Sequence, residues 1–493
     1  MKSELPVTEK ISEDAADVGA TDEALARARA DALRLASELS AICAESEAAL
    51  DDLRRLTARY QQVQQDSAAT QSRIAAIRSS NSWRAIETLR RVKARWTARG
   101  VTRAPIAGAM QPRARVIPEF VRTAPTGVNV SGYLDTESGM GEAARASIRS
   151  LEAAGIPVAL NNVPSRLRKR DVSYASAFGD ANPHPFNLVH LNADNMGWFA
   201  EGRGPEYFRN RYTIGYWFWE LAAFREEWVR FFGQVDEVWT ASDFVRESFA
   251  AWSPVPVVRI PLPVVLPPVP ALGRAHFGLP PRGTVFLYVF DVSSQTERKN
   301  PRGAIEAFRR ARFDHDQAIL VLKFTNAEYG REAVRSLHEQ AQGLHVLFLD
   351  GYMDREELCA LLASADCYFS PHRSEGFGLT MLESMSLGKP VIGTAYSGNM
   401  DFMTTENSFL LPYRLATLER DYGPYMRGAV WADPDLDEAA RLMRLIVERP
   451  DDGQARGDAA RVYVARERHP AVTGAAVNTR LAAIRAADGD PEP

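Results

Sequence analysis

The sequence predicts an α/β protein of two parallel, helix-covered sheets, preceded by a long N-terminal coiled-coil helix. Three observations carry this. From about residue 126 onward, short apolar runs alternate with amphipathic stretches, the pattern of strands covered by helices. A proline-dense connector, Pro261-Leu262-Pro263 through Pro267-Pro268-Val269-Pro270, cuts that alternation into halves. Ahead of both, no Gly or Pro occurs between Thr21 and Ile77. There Leu35, Leu39, Ile42, Ser46, Ala49, Leu53, Leu56, Tyr60 and Val63 recur in steps of four and three, a heptad seam that runs from Leu25 to Ile77.

Residues 1–20 are polar and read as a disordered tail. Residues 21–80 form the coiled-coil helix, whose seam at 25–77 pairs with a second copy or a partner; a solitary helix folded back on the body is the alternative. Residues 81–125 are a basic helix and linker. Between 83 and 103 the chain carries Arg84, Arg90, Arg91, Lys93, Arg95, Arg99 and Arg103 with Trp83 and Trp96 among them. Such a segment suits contact with anionic lipid headgroups, against the plainer reading of a solvated charged helix. The first α/β domain spans 126–268, the second 269–450, and 451–493 hold a C-terminal helix and tail.

In the first domain, Gly127 to Leu134 reads as a strand, and Glu137-Ser138-Gly139-Met140-Gly141-Glu142 as a glycine turn opening a helix over Ala143 to Ala154. Further strands are expected at 156–160, 186–191, 212–218, 237–241 and 257–260, with helices at 224–234 and 244–252. In the second domain, strands are expected at 284–291, 318–324, 345–349 and 367–369, and helices at 303–311 and 355–365. Cys367-Tyr368-Phe369 leads into Ser374-Glu375-Gly376-Phe377-Gly378-Leu379-Thr380-Met381-Leu382-Glu383, then a helix to Leu387 and a strand at 390–394. A strand, a glycine turn and a helix start present free N–H groups and the positive end of a helix dipole, which suits a phosphate. Two carboxylates eight residues apart, Glu375 and Glu383, stand beside it.

Composition narrows the function. The 493 residues carry a formal net charge of −4, so nothing global calls for nucleic acid. Cys43, Cys359 and Cys367 form no close pair, which points to a reducing compartment and no structural zinc. The polar N-terminus lacks the apolar core of a signal peptide, and no apolar run is long enough for a bilayer span. The expectation is a cytoplasmic protein, peripheral at the inner face of the plasma membrane if residues 83–103 engage lipid. Asp433, Asp435 and Asp437 space acids by two but open a helix, so N-capping is the expectation there rather than a metal site.

Glu375 and Glu383 within Glu-Gly-Phe-Gly-Leu, Glu297-Arg298-Lys299-Asn300-Pro301 upstream and Ser397-Gly398-Asn399-Met400-Asp401 downstream together resemble a known family. Tyr216 to Leu221 and Val238 to Ser242 carry the likeness into the first domain. The chain from about Gly127 to Arg480 is similar to the retaining glycosyltransferases of two facing Rossmann-like domains (GT-B), and more narrowly to glycosyltransferase family 4, in its bacterial surface-polysaccharide branch. The resemblance implies transfer of a hexose, with mannose from a guanine nucleotide as the guess, from a nucleotide diphosphate sugar to a polysaccharide or lipid-linked oligosaccharide. It implies a nucleotide-sugar site on the second domain and an acceptor side on the first, with no cofactor and no metal.

Residue by residue, the resemblance gives Glu383 the ribose hydroxyls and Lys299 the leaving diphosphate, with Arg298 assisting. Backbone of Gly376, Phe377, Gly378, Leu379 and Thr380 would meet the diphosphate or donor sugar, and Gly141 would let backbone approach the phosphates. Glu375 would sit by the reacting carbon, with His190 and Asn192 as further catalytic candidates. Three departures stand out: Ser293 and Ser294 lie where the family often has an arginine, Asn192 where it has a second histidine, and Asp401 where it has a glutamate. An inactive glycan-binding or scaffolding protein organised by the coiled coil, and a related GT-B phosphorylase or epimerase, are the alternative readings.

Overall fold

The computed structural model describes residues 116–165 and 174–487. All of them lie in the second of the two units into which the chain divides, Ile106–Pro493. The heptad seam at 25–77, the basic segment at 83–103 and Cys43 lie outside the described residues.

The first half folds as a six-stranded parallel sheet: β1 Val128–Gly132, β2 Val158–Asn162, β3 Phe186–His190, β4 Tyr212–Tyr216, β5 Glu237–Thr240 and β6 Val257–Arg259, in the order β2-β1-β3-β4-β5-β6. Every residue of β1, β3, β4 and β5 is buried, as expected of central parallel strands covered on both faces. Helix α1 (Gly139–Ala153) follows β1, α2 (Ala193–Arg203) follows β3, and α3 (Asp243–Ala250) follows β5. The Ser138 and Ser242 hydroxyls cap α1 and α3.

The second half repeats the plan. Its strands are β7 Thr284–Asp291, β8 Ala318–Thr325, β9 Val346–Asp350, β10 Cys367–Ser370, β11 Val391–Thr394 and β12 Phe409–Leu411, in the order β12-β11-β10-β7-β8-β9. Counted within the domain this is the 3-2-1-4-5-6 order of dinucleotide-binding sheets. Helices α4 (Pro301–Ala311), α5 (Arg331–Gln340), α6 (Arg355–Ser364) and α7 (Leu379–Ser386) cover it. The α5 helix and the segment of α2 were not expected from periodicity, and α1 begins four residues before its expected start. The stretch 224–234 is a 3-10 helix rather than an α-helix.

Both sheets have a switch point, where the strand order reverses and a crevice opens at the carboxyl ends: between β1 and β3 in the first, between β7 and β10 in the second. Those four ends carry the glycine turn, the His190-to-Asn192 segment, the Arg298–Lys299 loop and the Glu375 loop. The topology therefore brings the residues singled out from sequence to two crevices.

Two devices tie the halves together. An antiparallel hairpin, β13 (Tyr413–Thr417) and β14 (Val430–Pro434), leaves the second domain. Its Leu418, Tyr425 and Trp431 join an aromatic cluster of the first domain that holds Trp217, Trp219, Phe224, Phe232 and Phe249, with the Tyr425 and Trp219 rings 5.5 Å apart. The sequence reading contained no such hairpin. At the C-terminus, α8 (Leu436–Glu448) is capped by the Asp435 side chain, as expected, and α9 (Pro450–Glu467) leads to α10 (Pro470–Ala486). Helix α10 packs on α1 of the first domain: Thr473 Oγ1 lies 2.7 Å from Ser150 Oγ, and Arg480 Nε donates to Glu237 Oε1 at 2.8 Å.

A Cβ on Gly474 would come within 2.3 Å of the Ser150 carbonyl oxygen. Gly474→Ala should therefore push α10 off α1 at a cost of about 1–3 kcal/mol, the usual range for overpacking. A thermal melt should show a Tm lowered by several degrees with the fold retained at room temperature.

Candidate functional site

Between the two crevices lies a cleft of about 900 Å³, lined from both halves. Its first-domain wall includes Ser138, Gly139, Glu142, Asn192, Asn195 and Trp198. Its second-domain wall includes Arg298, Lys299, Lys323, Arg355, Glu375 through Thr380, and Glu383.

Glu375 is the most constrained group there. Its carboxylate receives Lys299 Nζ at 2.6 Å on Oε1 and Arg298 Nη1 at 3.2 Å on Oε2. Burial pushes the carboxyl up, but Lys299 and Arg298 outweigh it and hold its pKa down at about 2. Burial pushes the Lys299 ammonium down against the pull of Glu375, so the lysine keeps a weaker grip on its proton than an exposed one. Arg298 is 3 % exposed and stays charged: burial disfavours its charge, and Tyr425, Glu375 and Glu220 overcome that. Its Nη1 also donates to the Ser374 carbonyl at 2.7 Å and its Nη2 to that of Ser294 at 3.1 Å. Ser294 thus serves Arg298 through its carbonyl oxygen.

The loops around this cluster are cross-braced. Asn300, in the left-handed region at φ 56°, caps α4 with Oδ1 and donates Nδ2 to the Pro371 carbonyl at 2.8 Å, joining the β7 loop to the β10 loop. The Glu375 N–H donates to Ser397 Oγ at 2.8 Å, and Gly398 N–H to the Glu375 carbonyl at 2.9 Å. A Cβ on Gly398 would lie 2.1 Å from the Gly376 carbonyl, which explains a glycine at that point of the following loop. Gly376 in turn accepts Ser242 Oγ of the first domain at 2.7 Å. Asp401 accepts the Asp243 N–H at 3.0 Å and Arg259 Nη1 at 2.9 Å, so this aspartate is a contact between the domains.

Gly378 takes φ +95° as the residue before α7, a conformation that favours glycine, and no side chain caps that helix start. Leu379 and Thr380 open the helix on the cleft wall, and Tyr368 donates its hydroxyl to Thr380 Oγ1 at 2.7 Å. Such an end offers N–H groups and a positive dipole to an anion.

One turn further on, Glu383 is 1 % exposed and forms an ion pair with Arg355 Nη2 at 2.6 Å on Oε1. Its Oε2 has no hydrogen-bond partner among the described residues. Burial raises its pKa and Arg355 opposes that rise. Arg355 also reaches Glu142 Oε1 of α1 at 3.6 Å, where Arg145 Nη2 is 3.1 Å from Oε2 and Arg149 pairs with Oε1. A row of alternating charges therefore crosses the cleft from α1 to α7.

Two expected residues sit off the cleft surface, and a third lines it with its side chain already engaged. Gly141 does not line it: a Cβ there would strike the Thr136 and Tyr133 carbonyls at 2.2 and 2.8 Å, and its N–H donates to Ser138 Oγ. The turn itself demands that glycine, and Gly139 faces the cleft instead. His190 is wholly buried and stacked on Tyr216 at 4.6 Å, and neither ring nitrogen has a hydrogen-bond partner among the described residues. Burial holds its pKa near 3, so it is neutral. Asn192 does line the cleft, but its Oδ1 accepts the Phe218 N–H at 2.8 Å.

Four residues escaped the sequence reading. Arg355 stands in the first turn of α6, where a cation opposes the helix dipole, and that anomaly is a legible signal. Lys323 is a buried lysine within β8 whose ammonium donates to the Phe324 and Gly351 carbonyls, and burial pushes its pKa down to about 8. His372, buried beside Asn399 Oδ1 at 3.1 Å, supports the Glu375 loop. Trp198 is the fourth. Among the described residues, no group of three or more acids, histidines or cysteines could hold a metal ion, and no helix is long and apolar enough to cross a membrane.

Residues 278–461 match the family model for glycosyl transferases group 1. Over 224 residues the chain is 29% identical to the GDP-mannose-dependent alpha-(1-6)-phosphatidylinositol dimannoside mannosyltransferase of Mycobacterium tuberculosis (strain ATCC 25177 / H37Ra), covering 44% of this chain and 50% of that protein. Over 58 residues it is 47% identical to the O-antigen biosynthesis glycosyltransferase WclY of Escherichia coli, covering 12% and 14%. The chain thus spans half or less of these relatives. Among solved structures, sucrose-phosphate synthase from Thermosynechococcus elongatus superposes with a TM-score of 0.54 at 18% identity, over 74% of this chain and all of that one. Anabaena Alr3699/HepE in complex with UDP and glucose gives 0.53 at 15%, over 73% and all. The fold is GT-B, two Rossmann-like domains about a cleft.

Because the Glu375 pKa lies at about 2 against an ordinary 4.5, its ion pairs contribute fully above pH 4.5 and are lost as the pH falls through 2. Glu375→Gln should cost on the order of 3 kcal/mol at neutral pH, where it leaves the buried Arg298 and the half-buried Lys299 short of a counter-charge. In melts taken from pH 5 downward, the Tm gap between wild type and variant should close between 4.5 and about 2.

Proposed function

We propose that this chain, with a glycosyl transferases group 1 match over residues 278–461, is a glycosyltransferase of family 4 that moves a hexose from a nucleotide diphosphate sugar to a polysaccharide or lipid-linked acceptor, with retention at the anomeric carbon. The observation that carries the reading is Glu375 held between Lys299 and Arg298 in the same cleft as the open α7 N-terminus and the buried Glu383.

In this reading the diphosphate lies at the start of α7, between Lys299 and the N–H groups beyond Gly378. Both supply positive charge where the leaving group develops negative charge, so the reaction calls for no metal. The partnerless Oε2 of Glu383 accepts a ribose hydroxyl, a charge-assisted bond. Glu375 meets the donor sugar near its reacting carbon and steadies the positive charge there. A carboxylate with a pKa of about 2 is a poor general base at neutral pH, and His190 is sealed in the core. The departing phosphate oxygen is then the natural acceptor for the proton of the incoming hydroxyl. Attack on the face that the phosphate leaves gives retention. Mannose from a guanine nucleotide is the proposed donor, in keeping with the GDP-mannose-dependent relative.

Purified protein should turn over a nucleotide diphosphate sugar, and Glu375→Ala should lower turnover by about a hundredfold or more while nucleotide diphosphate binding stays within about threefold. Glu383→Ala should instead weaken nucleotide diphosphate binding by roughly 1.5–3 kcal/mol, the range for a hydrogen bond to a charged group. Unchanged turnover in the first variant would remove Glu375 from the reaction.

The heptad seam at 25–77 is proposed to associate with a second copy, and the basic segment at 83–103 to touch anionic lipid on the inner face of the membrane. Deleting residues 1–80 should lower the subunit count measured by light scattering.

A further inference from the structure

The described residues contain one tryptophan in the exposed class, Trp198 at 56 % exposure. The rest are buried or half-buried, Trp217, Trp219 and Trp239 among the buried ones. Trp198 is also among the residues that line the cleft. It stands on α2, which leaves β3 at the switch point of the first sheet, the crevice where a parallel sheet receives ligand.

The two faces of α2 divide cleanly. Ala193, Met196 and Phe199 recur every third residue and are buried beneath it. One position earlier in each step, Asn192, Asn195 and Trp198 line the cleft. Asn195 and Trp198, three apart on α2, are neighbours on its surface, so this wall presents a short stripe of one carboxamide and an indole plane, with the Asn192 carboxamide at the residue that precedes the helix. Both carboxamides are held: Asn192 Oδ1 by the Phe218 N–H at 2.8 Å, Asn195 Nδ2 by Asp194 Oδ1 at 3.0 Å. No cation lies within the stripe, so it does not suit a phosphate or a lipid headgroup.

A pyranose ring matches these groups. One face of the ring carries C–H bonds that pack on an indole, while its rim of hydroxyls donates to and accepts from carboxamides. We propose that Trp198, with Asn195 and Asn192, is the platform on which a sugar ring of the acceptor stacks, so that the acceptor ends in a pyranose and is chosen by carbohydrate contacts. That the bound sugar is an acceptor rests on the transferase reading; that a sugar binds here does not.

The test is binding of methyl α- and β-pyranosides of mannose, glucose and galactose, and of their disaccharides, by saturation-transfer NMR and calorimetry on the full chain. GDP and UDP affinities are measured alongside on wild type, Trp198→Ala, Trp198→Phe and Asn195→Ala. At least one glycoside should bind wild type, Trp198→Ala should weaken it about tenfold or more, and Trp198→Phe should stay within about threefold. Nucleotide affinity should not change in any of the three variants. The proposal fails if Trp198→Ala binds glycosides as wild type does, if no glycoside binds wild type at about 10 mM, or if nucleotide affinity falls in parallel. It also fails if the variant loses affinity for phosphatidylglycerol vesicles while glycoside binding is untouched, since Trp198 would then be a lipid contact. Absent nucleotide binding in wild type would sink the transferase reading and leave the sugar platform standing.

Discussion

The carboxylate of Glu375, fixed between the cations of Lys299 and Arg298, is the constraint on which the second domain is built. Three charged groups share a site in which Arg298 is almost fully enclosed. Stripping water from each costs several kcal/mol, and their mutual attraction repays this only when the geometry is tight. Tight geometry needs rigid loops, and the surrounding residues supply them. Asn300 joins the β7 and β10 loops, Ser397 and Gly398 hold the Glu375 backbone from below, and Arg373 N–H donates to the Arg298 carbonyl at 2.8 Å. Removing one brace would loosen the charges together, because Arg298 and Glu375 have little solvent to fall back on, while Lys299 keeps partial exposure at the cleft.

The first domain takes part in the same constraint. Ser242 donates to Gly376, Ser374 donates its hydroxyl to the Glu220 carbonyl, and Tyr425 donates to Glu220 Oε2 at 2.8 Å while its ring lies against the Arg298 guanidinium. The hairpin that carries Tyr425 is anchored in the first domain's aromatic cluster. The position of the charge cluster is therefore referred to both sheets. A cleft assembled this way holds its two crevices in register through apolar packing at one side and α10 at the other.

What could be read from sequence follows a physical line. Strand-forming runs in parallel sheets are continuous and apolar, so most strands were placed within two residues. Glu375, Glu383 and Lys299, which the structure gathers on one cleft wall, stand out in sequence because carboxylates and a lysine beside a glycine turn are conspicuous. Gly141 and His190 lie off that wall for a shared reason: their residue types suit a ligand equally well as they suit a crowded turn or a core, and burial decides between the two. The hairpin was missed because β13 is exposed except at the half-buried Ala416 and carries no apolar alternation of its own. Arg355 and Trp198 were missed because their meaning comes from partners and exposure. The pair Arg355 and Glu383 is 28 residues apart in sequence and 2.6 Å apart in space.

Arg355 also constrains how any donor can enter. It neutralises Glu383 through Oε1 and reaches Glu142 of the first domain, while Oε2 of Glu383 is left without a hydrogen bond. A ligand that displaced Arg355 would leave the buried Glu383 carboxylate without its cation, a loss of a size that few single hydrogen bonds offset, whereas Glu142 would keep Arg145 and Arg149. A hydroxyl that takes Oε2 instead leaves the ion pair at Oε1 whole and satisfies an oxygen that has no hydrogen bond. The buried carboxylate is thus prepared for a neutral donor group, such as a sugar hydroxyl, while the cationic side of the cleft at Lys299 and α7 is prepared for an anion. Those two demands, a few residues apart on one helix, are met together by a ligand with a hydroxylated ring next to a phosphate.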